Sequence, residues 1–158
     1  MKIKGIIAED FINYKKPAMV IEFPYCDFKC DKECGMQVCQ NSSLVDSPTY
    51  DISAQKIVQM YLKNDITKAI VFQGLEPFDS AHDLYFLIGL FRKFTKDDIV
   101  IYTGYTEQEL AKRILDFQKL FRNITIKFGR FIPDKPHHFD SVLGVTLTSP
   151  NQYGKKVC

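Results

Sequence analysis

Five cysteines occur in this 158-residue chain, and four of them, Cys26, Cys30, Cys34 and Cys39, fall between Tyr25 and Asn41. Packing alone rarely gathers thiols so closely. Each thiolate is a soft, charged ligand, so a short loop carrying several can wrap a metal ion or an iron–sulfur cluster. Taken by themselves, the cysteines fit either a four-thiolate zinc site or a cluster. Two other stretches have the composition of ligand-binding turns, Gly74-Leu75-Glu76-Pro77 and Thr103-Gly104-Tyr105-Thr106. Glycine lets a ligand approach the backbone, and Pro77 fixes the turn after Glu76 so that main-chain N–H and C=O groups can face that ligand.

All three stretches follow strand-like apolar runs. Ala18–Phe23 leads into the cysteine loop through Pro24, Ala69–Phe72 leads to Gly74, and Ile99–Tyr102 leads to Thr103. Between them lie helical periodicities. Ser53 caps a helix from Ala54 to about Asn64, apolar at Ile57, Val58, Tyr61 and Leu62. Ser80 with Asp83 signals a second helix to about Phe94, and Thr106 with Glu109 forms a capping box for a third, to about Arg122. Ile124–Phe128 then gives a fourth strand of this series. Alternating strands and helices predict an α/β fold, an open or partial (β/α) barrel with a mostly parallel sheet whose strand C-termini carry the ligands. Met1–Phe11 reads as an edge strand or extended arm, 41–51 as an irregular connection, and the tail from Arg130 as a covering segment with one strand near Val142–Leu147.

Size and composition bound the rest. The length suits one domain, 1–158, with a proper core. Hydrophobic residues make up 46% of the chain, with 13 Phe, 8 Tyr and no Trp, which excludes disorder and predicts a ring-rich core. A formal charge of +2 gives no reason to expect nucleic-acid or membrane partners. No signal-like segment or membrane-length apolar run is present, so the expected location is cytoplasmic, where thiols stay reduced.

With these motifs in order, the chain resembles the radical S-adenosylmethionine superfamily, and within it the small activating proteins of anaerobic ribonucleotide reductase. Cys26-Asp-Phe-Lys-Cys30 matches the first half of the superfamily's Cys-x3-Cys-x2-Cys loop, and Gly74-Leu75-Glu76-Pro77 is similar to its Gly-Gly-Glu-Pro turn. Cys39-Gln40-Asn41, Tyr102–Thr106, Gly129-Arg130-Phe131-Ile132 and Asn151-Gln152 resemble further motifs of the activating proteins. The chain departs from the pattern in two places: eight residues separate Cys30 from Cys39, and Leu75 replaces a glycine. The resemblance implies a [4Fe-4S] cluster on Cys26, Cys30 and Cys39, with Cys34 the alternative third ligand. Three thiolates would leave one iron open to S-adenosyl-L-methionine, whose reductive cleavage yields a 5′-deoxyadenosyl radical. The same resemblance assigns that cofactor to Val38, Gln40, Asn41, Gly74, Leu75, Glu76, Pro77, Thr103 and Tyr105. It further implies a glycyl-radical enzyme as partner, an anaerobic ribonucleotide reductase, and an electron donor such as flavodoxin or ferredoxin. A small radical enzyme acting on a peptide or deazapurine precursor, and a non-catalytic zinc module, are the alternatives.

Other conspicuous residues have plainer readings. Cys158 is a free thiol at the terminus, and Cys34 a spare thiol on an inserted turn. His137 and His138 are neighbours on an extended segment and point opposite ways, which makes a solvated pair rather than a metal pair. Lys15-Lys16 and Lys155-Lys156 are surface charge.

Overall fold

The computed structural model describes all 158 residues. Its elements run β1 (Lys2–Ile3), β2 (Gly5–Asp10), β3 (Ala18–Phe23), α1 (Lys29–Cys34), α2 (Ser43–Asp46), β4 (Tyr50–Asp51), α3 (Ala54–Leu62) and β5 (Ala69–Gly74). A 3₁₀ turn (Pro77–Ser80), α4 (Ala81–Arg92), β6 (Asp98–Tyr102), α5 (Ala111–Leu120), β7 (Ile124–Phe128), β8 (His138–Asp140), β9 (Val145–Leu147) and β10 (Tyr153–Lys156) follow. One six-stranded sheet has the order β10-β7-β6-β5-β3-β2. Its four central strands, β3, β5, β6 and β7, are parallel, and the two edge strands run antiparallel to them. The α/β class and the mostly parallel sheet agree with the sequence pattern. The sheet is open, ending at β2 and β10.

Because side chains alternate along a strand, each level of the sheet presents one row to each face. The row Ile21, Phe72, Ile101 and Ile126 faces α3, α4 and α5 in a single core of buried residues that includes Ile57, Tyr61, Leu87, Phe91 and Phe117. Rings dominate this core, with Tyr61 and Phe91 edge to face at 5.5 Å and Phe23 on Phe72 at 5.7 Å. Such pairs each add about 0.5–1.5 kcal/mol beyond area burial.

The opposite face has no helix. Its lower rows are small, with Ala18, Ala69, Val20, Val71 and Val100, and Tyr14, Leu143 and Leu147 lie directly on them. Small side chains let a loop and the β8–β9 hairpin approach where a helix would otherwise pack. One level nearer the strand C-termini the same face turns polar, with Glu22, Gln73, Tyr102 and Lys127. That change of chemistry marks the floor of a cavity.

Four local expectations need correction. Ser80 makes no capping bond with its side chain, because the 3₁₀ turn before it takes its cap from Glu76, which accepts from the Phe78 N–H. The tail contributes three strands instead of one. β10 was not expected, since Tyr-Gly-Lys-Lys has no apolar alternation; it is held by pairing with β7 and by Asp140, which accepts from the Gly154 N–H at 2.8 Å. The irregular connection 41–51 contains α2 and β4, and the cysteine loop itself contains α1. Elsewhere Ser53 caps α3 as its spacing predicts, and Thr106 with Glu109 forms its box around the turn 107–110 that leads into α5, which itself starts at Ala111 with no side-chain cap.

Candidate metal and cofactor site

Cys26, Cys30 and Cys39 line one cavity of about 310 Å³ at the C-terminal ends of β3, β5 and β6, whereas Cys34 is exposed at the end of α1, outside it. α1 begins after Phe28, whose left-handed φ of 53° turns the chain sharply out of the extended segment. The Phe28 N–H donates to Cys26 Sγ at 3.3 Å. Across the insertion, Asp31 Oδ1 accepts from the N–H groups of both Val38 and Cys39 at 2.8 Å, folding the loop back so that Cys39 returns to the cavity. The cysteine separation in sequence is therefore undone in space.

Burial pushes all three thiols upward, Cys26 to about 12, while the main-chain N–H groups of Phe28, Phe131 and Asn41 pull the other way. Desolvated thiols of this kind ionise when a metal takes them, releasing protons. The sulfur spacing also bears on which metal fits. A single tetrahedral zinc ion would draw thiolate sulfurs to about 3.8 Å from one another. The one group of three Cys, His or acidic ligand atoms all within 4.8 Å is Cys26, Asp27 and Asp79, so the sulfurs of Cys26, Cys30 and Cys39 do not all lie within that distance of one another in the metal-free chain. The two carboxylates of that group are already engaged, Asp79 accepting from the Asp27 N–H and the Tyr105 hydroxyl, and Asp27 from the Lys29 N–H.

The glycine-rich turns converge on the same cavity. Gly74 has φ 95°, and a Cβ there would meet the Phe23 nitrogen at 2.7 Å, so only glycine allows β5 to lie this close to β3. The N–H groups of Leu75 and Glu76 donate to Phe23 O and Tyr25 O, which extends strand pairing into the cysteine loop. Those N–H groups are thus unavailable to a ligand, contrary to the expectation from Pro77. Asn41 Nδ2 donates to Gly74 O at 2.7 Å and ties the two loops again.

Glu76 is 4% exposed and faces inward. Its carboxylate accepts from the Phe78 N–H at 3.1 Å, from Thr103 Oγ1 at 2.9 Å and from the Gly104 N–H at 2.9 Å. It is a strut between two loops, not an open ligand. Burial raises it to about 7 even though every one of these hydrogen bonds favours the charged form.

Of the residues expected to bind the cofactor, Gln40, Asn41, Gly74, Leu75, Glu76, Thr103 and Tyr105 line the cavity. Val38 is half-buried beside it, and Pro77 is buried at the start of the 3₁₀ turn; neither is among its lining residues. Sequence reading missed Lys127, Tyr102, Gln73 and Thr148. Lys127 is 7% exposed, donates to Gly129 O at 3.0 Å and has no carboxylate within ion-pair distance; burial lowers it to about 8. The usable signal was the polar residue at the same level of successive strands. Arg130, which also lines the cavity, is held by a two-bond contact with Glu109, at 2.7 and 3.0 Å, and its Nε lies 3.1 Å from Glu33 in a charge contact without hydrogen-bond angles. Cys158 lies outside this region, near Phe117 O.

Residues 18–144, about four fifths of the chain, match the family described as the 4Fe-4S single cluster domain. The chain belongs to that family. The 4Fe-4S single cluster domain occurs in radical S-adenosylmethionine-type proteins, and membership of it indicates that the chain binds an iron–sulfur cluster. Comparison with curated proteins and with solved structures returns no match. No helix of this 4Fe-4S domain is long and apolar enough to cross a membrane.

Proposed function

We propose that this protein is a radical S-adenosylmethionine enzyme that generates a glycyl radical on a partner enzyme, an anaerobic ribonucleotide reductase. The observation that carries the reading is that three cysteines, and not four, share their cavity with the Gly-Leu-Glu-Pro and Thr-Gly-Tyr-Thr turns. Cys26, Cys30 and Cys39 would hold a [4Fe-4S] cluster, with one iron left to the cofactor. Such a cluster, when bound and reduced, would supply the single electron for reductive cleavage of the sulfonium of S-adenosyl-L-methionine.

The chain's own residues have simpler tasks. Lys127, a buried ammonium without a counter-ion, offers charge to the carboxylate of the methionine end. Gly74 and Leu75 border that end, and Gln40, which meets Thr148 Oγ1 at 3.4 Å, borders the adenosine side together with Tyr105. Glu76 holds the two turns in register and keeps water from their backbone. Tyr102 lies in the cavity with its hydroxyl committed to Asn13 O at 2.6 Å, so its hydrogen is held away from the reacting region.

A macromolecular substrate suits the rim. Ile12 lines the cavity while 78% exposed, beside Phe11 at 64%, an apolar edge that a polypeptide partner could cover. Anaerobic reconstitution tests the proposal. About four irons per chain and release of 5′-deoxyadenosine on reduction with S-adenosyl-L-methionine are expected. A protein that holds the cluster with all four irons protein-ligated, and leaves the sulfonium intact, would refute it.

A further inference from the structure

The ten-residue span from Cys30 to Cys39 is folded by one side chain. Asp31 sits on α1 directly after Cys30, and its Oδ1 receives both the Val38 and the Cys39 N–H at 2.8 Å. No other side-chain hydrogen bond joins two residues of this span: α1 has no buried residue, and Cys34, Gly35, Met36 and Gln37 are exposed. Glu33, the neighbouring anchor, is itself 61% exposed in its contact with Arg130. Asp31 also acts on the Cys39 sulfur through its negative charge.

We propose that Asp31 is the positioning residue that selects Cys39 over Cys34 as the third cluster ligand, and that its carboxylate sets the cluster's potential lower than a neutral residue would. The proposal rests on the cluster reading above. A loop closed before the cluster arrives loses less conformational freedom on binding it, and charge-assisted hydrogen bonds from two successive N–H groups to one carboxylate oxygen are among the stronger closures available. A fixed negative charge beside one sulfur disfavours adding an electron to the cluster, so its removal should move the midpoint potential upward.

Asp31→Asn and Asp31→Ala separate the two effects, since an amide oxygen can still accept both N–H groups while alanine cannot. On the metal-free full-length protein, amide exchange at Val38 and Cys39 should accelerate about tenfold or more in Asp31→Ala and change little in Asp31→Asn. After anaerobic reconstitution, Asp31→Asn should keep its iron with a midpoint potential shifted upward in a redox titration. Asp31→Ala should lose most of its iron, and Cys39→Ala should lose it as well. Full iron in Asp31→Ala, with Cys39→Ala depleted, overturns the positioning role alone. An unshifted potential in Asp31→Asn overturns the electrostatic one. Full iron in Cys39→Ala overturns the ligand assignment and this inference with it.

Discussion

Replacing Glu76 by glutamine should alter stability in a way that depends on pH. The carboxylate is almost fully buried and its pKa is raised by burial from 4.5 to about 7, with Asp79 adding to the rise and the N–H groups of Gly104 and Phe78 and the Thr103 hydroxyl opposing it. In the unfolded chain it ionises near its ordinary value. Between those two values the folded state binds more protons than the unfolded state, so stability rises as pH falls from above 7 toward 4.5 and is lost again on the way up. Integrated over that window, a shift from 4.5 to about 7 corresponds to about 3 kcal/mol. Glutamine does not titrate. Its amide can replace one oxygen, but it turns an NH2 toward either Gly104 or Thr103, leaving one donor unpaired at about 1–3 kcal/mol. Urea unfolding of metal-free wild type and Glu76→Gln at about pH 7.5 and about pH 4.5 should therefore show the wild type gaining about 3 kcal/mol over the variant at the lower pH. Lys127, lowered to about 8 and held up in part by the Glu76 charge, gives up part of its proton near the higher pH, so the comparison is made with both proteins in a Lys127→Met background that removes its titration. An equal gap at both pH values would mean that Glu76 is not held against its ionisation, and the strut described here would be wrong in its electrostatics.

Two other predictions test the site more directly. Cys34→Ala should reconstitute with about four irons, as the wild type does, because its thiol lies outside the cavity; iron analysis after anaerobic loading decides it. Lys127→Met should stabilise the metal-free protein at neutral pH by about 1–3 kcal/mol in urea unfolding, since an apolar chain of similar length no longer buries an ammonium. The same variant should bind S-adenosyl-L-methionine more weakly by equilibrium dialysis, and a variant that is less stable yet binds normally would rule out the anion-binding role.

Much of the architecture was legible before any coordinates because the relevant forces are local. Apolar runs at Ala18, Ala69, Ile99 and Ile124 are buried on both faces and read as strands without alternation, and the caps at Ser53 and Thr106 depend on residues three apart. The cysteine spacing pointed to a metal site, and the order of the turns pointed to a family. β10 could not be seen this way, because its residues gain strand conformation from the open edge of β7 and the Asp140 carboxylate, not from their own pattern.

What the sequence settled by itself is that four thiols crowd one loop and the order in which strands deliver that loop and the two glycine turns to one edge, since both follow from residue type and short-range periodicity. Tertiary structure alone decided which thiols meet, that Glu76 spends its carboxylate on Thr103 and Gly104, and that Lys127 stands buried without a counter-ion. Those facts depend on contacts between positions tens of residues apart, where geometry, hydrogen bonding and desolvation act only once the chain has closed on itself.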